Sequence, residues 1–84
     1  MRVIKRDGSF EEFIPSKIVN AVRLSANRTK QQLTEKQEKQ ILDFVEKDLQ
    51  SRGFRDEVSV ENIHLSIENC LWEISRELYQ EYRS

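Results

Sequence analysis

The chain has 84 residues, of which 35% are charged and 37% are hydrophobic, and its formal net charge is −1. This length allows one small domain with a thin core. The sequence has no run of ~18 apolar residues that could form a membrane-spanning helix, and it has no secretory signal pattern. We therefore expect a cytoplasmic protein with no membrane partner. The single cysteine excludes an internal disulfide, and the lack of a Cys/His cluster argues against a zinc site.

Basic residues are concentrated near the start of the chain. The first 30 residues contain seven Lys and Arg against three Asp and Glu, a net charge of +4, and the remaining residues carry −5. Nucleic-acid-binding domains usually have a high pI, whereas the pI here is about 5.8. A small local anion site is therefore favoured over nucleic-acid binding, with ordinary solvated surface charges as the alternative.

The first predicted element is a β-hairpin, because Asp7-Gly8 lies between two short runs of β-forming residues. A two-residue loop would put Lys5 and Glu11 on opposite faces. A three-residue loop, with Gly8 as a left-handed bulge residue, pairs Lys5 with Ser9 instead. We favour the bulged register, because it gives one apolar face and one mixed face. The mixed face then consists of Val3, Lys5, Glu11 and Phe13.

Two helices are predicted next. The first begins at Pro15, which suits the first helical position, and ends near Asn27; its N-cap is either Ser16 or Ile14, and isoleucine would be a poor cap. The second begins with a capping box at Thr34. It ends at Gly53 in a Schellman motif, in which Phe54 packs on Leu49.

The last part of the chain is helical, and its continuity is open. A turn at Asp56-Glu57 precedes Ser59, which caps the third helix. Because no Gly or Pro follows, the pattern fits one continuous helix to the C-terminus or two helices broken around residues 72–74. The apolar stripe consists of Ile63, Ile67, Leu71, Ile74, Leu78 and Tyr82.

No set of residues typical of an enzyme active site is present. Cys70, near the apolar stripe, is best interpreted as a small buried hydrophobe. The only histidine, His64, is either partly buried with a local acceptor or a ligand contact. Lys5 and Arg6, by contrast, lie on or beside the hairpin, and Lys17 falls in the first turn of the next helix. A cation there opposes the helix macrodipole unless an anion such as phosphate binds at the helix N-terminus; an ordinary exposed lysine is the alternative.

The sequence KRDG at positions 5–8, followed by Phe13 and by Lys17-Ile18, resembles the signature of the ATP-cone domain. Residues 60–64 and the closing Tyr-x-x-Tyr-Arg are similar to the second half of that family. The closing Tyr-x-x-Tyr-Arg and the stretch at residues 67–69 are most similar to the N-terminal domain of anaerobic (class III) ribonucleoside-triphosphate reductase. The resemblance covers essentially the whole chain, although Ile14 replaces the usual Asp or Asn.

The resemblance implies an α+β fold, with a β-hairpin or three-stranded cap packed on a bundle of about four helices. Residues 1–84 would form a single ATP-cone domain, a fragment or the N-terminal domain of a larger reductase whose catalytic domain is its partner. It would bind ATP or dATP with Mg²⁺ and sense their ratio to control the reductase allosterically, without an active site of its own. The implied nucleotide contacts are Val3, Lys5, Arg6, Glu11, Phe13, Lys17, Ile18, Val60 and His64.

Two other functions are alternatives. Because of Ile14, the domain could be a protein-interaction or oligomerisation module with a degenerate nucleotide site. It could also be the nucleotide-sensing part of a transcriptional regulator, although the ATP-cone repressors carry a zinc ribbon that a chain with one cysteine cannot form. A long unbroken last helix would favour a homo-oligomer or a helix-swapped dimer.

Overall fold

The computed structural model describes residues 1–84 and contains a three-stranded sheet and four helices, which confirms the predicted α+β fold. The elements in chain order are β1 (Arg2–Ile4), β2 (Phe10–Glu12), α1 (Pro15–Arg28), α2 (Glu35–Ser51), β3 (Glu57–Ser59), α3 (Val60–Ile74) and α4 (Arg76–Arg83). None of the helices is both long enough and apolar enough to cross a bilayer.

The hairpin adopts the bulged register. Val3 lies opposite Glu11, and the N–H of Lys5 donates to the carbonyl of Ser9 over 2.8 Å. Gly8 has a φ of +87°, in the left-handed region that glycine occupies without strain. The preference for a three-residue loop with a glycine bulge is therefore confirmed.

The third strand lies where the residue pattern predicted a turn and a helix cap. Strand β1 is central in the sheet, antiparallel to β2 and parallel to β3. Val58 of β3 lies beside Val3 of β1, and both side chains are buried. Strand β3 therefore closes the sheet and leads directly into α3.

The ends of α1 and α2 follow local chemistry. Of the two possible caps for α1, the structure has Ile14, whose side chain makes no capping hydrogen bond. Thr34 forms both bonds of the capping box of α2. At the other end of α2, Gly53 has a φ of +87°, and the N–H of Phe54 donates to the carbonyl of Leu49 over 3.1 Å, which confirms the Schellman motif.

The last helical segment is broken at Ser75, so the continuous helix is the wrong alternative. Ser75 has extended dihedral angles, φ −157° and ψ 111°, and its side chain accepts a hydrogen bond from the N–H of Leu78. The break lies just after the predicted position, and a serine cap makes it in place of Gly or Pro. The expected basis for helix exchange between chains, one long unbroken helix, is therefore absent.

The core lies between the sheet and all four helices. Ile41 of α2, Leu71 of α3 and Leu78 of α4 are fully buried, whereas Leu42 and Ile74 are partly buried and pack against this core. Cys70 belongs to this cluster, which confirms its interpretation as a buried hydrophobe. Burial, and to a lesser extent Glu73, raises the pKa of the Cys70 thiol to about 11.

Candidate functional site

A small apolar pocket of about 130 Å³ opens between the β-hairpin, α1 and α3. Its size is below the ~300–1,000 Å³ typical of complete small-molecule sites, so it can hold one flat ring system but not a larger ligand. Seven of the nine residues expected at the site line it: Val3, Glu11, Phe13, Lys17, Ile18, Val60 and His64. The bulged hairpin register places the strand residues of this set on the pocket side.

The other two expected residues, Lys5 and Arg6, lie in a second cavity of about 340 Å³ at the tip of the hairpin. Val60 lines both cavities, so they adjoin, and we call the two together the groove. The groove is apolar at one end, and basic side chains stand at the other end and along its rim. The structure thus brings all nine expected residues to two adjoining cavities.

The two lysines at the groove share one carboxylate. The carboxylate of Glu11 lies 2.7 Å from Nζ of Lys17 and 3.6 Å from Nζ of Lys5. The hydrogen bond and charge of Lys17, and then the charge of Lys5, hold the pKa of Glu11 below its usual range. Because all three side chains are substantially exposed, these ion pairs are weak, and a stronger anion can replace the carboxylate.

Arg6 is paired in the same way. Its Nε lies 3.1 Å from the carboxylate of Glu61, in the first turn of α3, and both side chains are mostly exposed. Glu61 was not among the expected site residues, because its partner is far away in the sequence. Each of the three cations at the groove therefore has an internal carboxylate as its counter-ion.

The N-terminus of α1 faces the groove without an acidic side chain. Pro15 has no N–H, Ile14 provides no capping bond and the first turn contains no Asp or Glu. No acidic side chain of α1 itself opposes the positive end of the helix dipole, and the counter-ion of Lys17 is Glu11 of β2. Ile14 itself lines the apolar pocket. Ile14 is thus both the N-cap residue of α1 and part of the pocket wall.

His64 is held by Tyr82 from the last helix. Nδ1 of His64 lies 2.7 Å from the hydroxyl oxygen of Tyr82, and the ring centroids are 5.9 Å apart. Both residues line the apolar pocket. His64 is therefore partly buried beside a local polar group, as one of the two interpretations expected. Which of the two groups donates depends on the tautomer of the ring, and the same ring also borders the pocket.

A family model described as the ATP cone domain matches residues 1–84. The chain belongs to the ATP-cone family. An ATP-cone is a nucleotide-binding regulatory domain, usually part of a ribonucleotide reductase, and has no catalytic activity of its own. A search of curated proteins returned no match.

The largest cavity of this ATP-cone, about 670 Å³, lies beside the groove and shares Ala21, His64 and Tyr82 with the apolar pocket. Its charged lining includes Arg28 and Glu68. Its mouth is wide, and it lacks a compact apolar recess. The smaller pocket with its row of cations is therefore the better candidate for nucleotide binding.

No group of three or more His, Cys, Asp or Glu side chains converges on one point in this ATP-cone.

Tyr82 lines the apolar pocket and was not among the residues expected there. It was assigned to the apolar stripe, and its spacing does fit that stripe. Only the break at Ser75 turns α4 so that Tyr82 reaches His64.

Proposed function

We propose that this ATP-cone binds ATP or dATP in the groove and senses their ratio to control a ribonucleoside-triphosphate reductase. Within this proposal the parent enzyme would be the anaerobic (class III) reductase, on the resemblance of the closing Tyr-x-x-Tyr-Arg and of residues 67–69 alone. The observation that carries the proposal is the position of three cations, Lys5, Arg6 and Lys17, beside a pocket of the size of one flat ring system.

The two ends of the groove suit the two ends of a nucleotide. The apolar end, between Val3 and Phe13 of the sheet side and Ile18 and Val60 of the helices, would hold the adenine base. The triphosphate would lie toward the hairpin tip, where Lys5 and Arg6 line the adjoining cavity. The electropositive start of α1 adds to the attraction for phosphate.

Binding would replace internal carboxylates by phosphate. Lys5 and Lys17 would leave Glu11, and Arg6 would leave Glu61, because a triphosphate carries more charge than either carboxylate. Arginine can then bind phosphate oxygens in a bidentate manner. Glu11, released from the lysines, could accept a hydrogen bond from the adenine amino group or a ribose hydroxyl.

Mg²⁺ would enter with the triphosphate. Magnesium is usually held by substrate phosphates and only one or two carboxylates, and the groove offers scattered single carboxylates but no metal cage. Two single carboxylates are candidate ligands at the phosphate end: Asp7, which lines the cavity at the hairpin tip, and Glu61, once Arg6 has turned away from it. The catalytic domain of the parent reductase would be the partner that reads the bound nucleotide, through a change in conformation or oligomeric state.

Titration calorimetry with ATP, dATP and GTP in the presence of Mg²⁺ tests this function. We expect ATP and dATP to bind, and Lys17→Ala and Lys5→Ala each to weaken binding by about tenfold or more, since each removes a charge-assisted phosphate contact. Lys47→Ala is the matched control, because Lys47 is an exposed lysine of α2 outside the groove.

The outcomes separate the alternatives. If no nucleotide binds at millimolar concentration, the sensor function is wrong and the protein-interaction module with a degenerate site takes its place. If ATP binds but Lys5→Ala and Lys17→Ala behave like Lys47→Ala, the nucleotide lies elsewhere on the domain. Sedimentation with and without nucleotide then reports whether oligomeric state responds to binding.

A further inference from the structure

Helix α4 reaches the candidate site through one side chain. Tyr82 lies in its last turn, lines the apolar pocket, and its hydroxyl oxygen lies 2.7 Å from Nδ1 of His64 in α3. This hydrogen bond joins residues 18 positions apart across the break at Ser75. Any ligand in the pocket therefore lies beside the bond that links α3 to α4.

Either partner of this hydrogen bond can be the donor, depending on the tautomer of His64, and we take the phenol of Tyr82 as the donor. Tyr82 is mostly buried, and burial raises the pKa of its phenol to about 12, so the hydroxyl keeps its proton. A buried hydroxyl normally finds a hydrogen-bond partner, and Nδ1 of His64 is the partner within reach. When Nδ1 accepts, the proton of the neutral ring resides on Nε2.

Helix α4 is short and is held mainly by side chains. It has eight residues and is anchored by buried Leu78. The carboxylate of Glu81 lies 2.8 Å from Nε of Arg28 in α1, and Glu77 accepts from Gln31 over 2.8 Å. These ties join exposed groups and are individually weak. A change at Tyr82 can thus alter the position of α4 relative to α3.

We propose that Tyr82 is a positioning residue of the nucleotide site, which fixes the ring of His64 with its N–H at Nε2 and carries occupancy of the pocket to helix α4. The nucleotide part of this inference rests on the proposed function. The link between Tyr82 and His64 is a property of the free domain. A nucleotide that contacts or displaces the imidazole changes this hydrogen bond and shifts the last turn of α4.

The chain contains its own reporter for this movement. Trp72, the only tryptophan, lies near the end of α3, and two residues of α4 cover it. Cζ of Arg76 lies 3.7 Å from its ring centroid, and Tyr79 contacts it edge-on with centroids 5.0 Å apart. The fluorescence of Trp72 therefore depends on how α4 packs against α3.

The first measurement is made on the free domain. His64 is the only histidine, so its ring ¹⁵N and ¹³C signals identify the tautomer without assignment ambiguity. We expect the Nε2–H tautomer to predominate in the wild type and in Tyr79→Phe, and a mixture of tautomers in Tyr82→Phe. Tyr79→Phe is the matched control, because it removes a phenolic hydroxyl of α4 that contacts Arg83 instead of His64. Equal tautomer populations in all three proteins would overturn the inference.

The second measurement is a nucleotide titration followed by calorimetry and by Trp72 fluorescence. Tyr82→Phe should bind ATP about two- to tenfold more weakly, the effect of one lost hydrogen bond, and should lose most of the nucleotide-dependent change in emission. A wild type that binds no nucleotide contradicts the proposed function. If the wild type binds ATP and Tyr82→Phe shows the same affinity and the same change in emission, the role of Tyr82 is contradicted and the proposed function is not.

Discussion

Glu11 is the carboxylate that masks the anion site of the free domain, and replacing it tests how strongly it does so. It lies 2.7 Å from Nζ of Lys17 and 3.6 Å from Nζ of Lys5. Because these lysines keep its pKa below the usual range, chiefly through the hydrogen bond from Lys17, Glu11 is ionised at neutral pH. A phosphate that binds both lysines must first displace it.

The size of the effect follows from exposure. The side chain of Glu11 is 33% exposed, and those of Lys5 and Lys17 are 49% and 60% exposed, so solvent screens both pairs. Exposed ion pairs of this kind alter an equilibrium constant by at most about fivefold. Glu11→Gln should therefore bind inorganic tripolyphosphate about two- to fivefold more tightly than the wild type. Tripolyphosphate is the appropriate probe, because it lacks the base and ribose that Glu11 could contact.

Calorimetry at low salt measures this change, and Glu12→Gln is the control. Glu12 is the next residue in β2, its replacement changes the net charge equally, and it forms no ion pair with a lysine. The gain in Glu11→Gln over Glu12→Gln should shrink as salt is raised, because screening weakens the interaction with exposed lysines. Equal affinities of the two variants, or weaker binding by Glu11→Gln, would refute the role of Glu11 as an internal counter-ion.

Two further predictions concern stability and pH. Thr34→Ala removes the capping box of α2 and should lower the free energy of unfolding by about 1 kcal/mol. In thermal circular dichroism, Tm should fall by about 4–8 °C. An equal loss of stability in Gln32→Ala, a change at an exposed neighbour, would contradict the role of the capping box. The carboxylate of Asp7 accepts from the hydroxyl and N–H of Ser9, which lowers its pKa from 3.8. The contribution of the Asp7 carboxylate to stability is therefore complete above pH 3.8 and is lost as the pH falls through the lower pKa that Asp7 has in the folded state. In a pH titration, the Ser9 amide signal should shift over this range in the wild type and should not shift in Asp7→Asn.

Local elements were predictable because their energies come from neighbouring residues. The turn at Asp7-Gly8, the capping box at Thr34 and the Schellman motif at Gly53 each depend on hydrogen bonds spanning five residues or fewer. The same local chemistry makes Ser75 a helix cap. The expected signal for a helix break was Gly or Pro. A serine within an apolar stripe can also end a helix, when the turn of the chain lets a residue such as Leu78 become buried.

The sequence by itself determined α1, α2 and the start of α3 and favoured the observed hairpin register, and the family resemblance named the residues expected at the site. Tertiary structure alone decided what those residues meet. Strand β3 is three residues long and forms only because β1 offers it a parallel edge. The carboxylate of Glu61 reaches Arg6 from 55 positions away, and Tyr82 reaches His64 only because the chain turns at Ser75. Such contacts depend on how separate elements pack, and residue periodicity within one element carries no information about its distant neighbours.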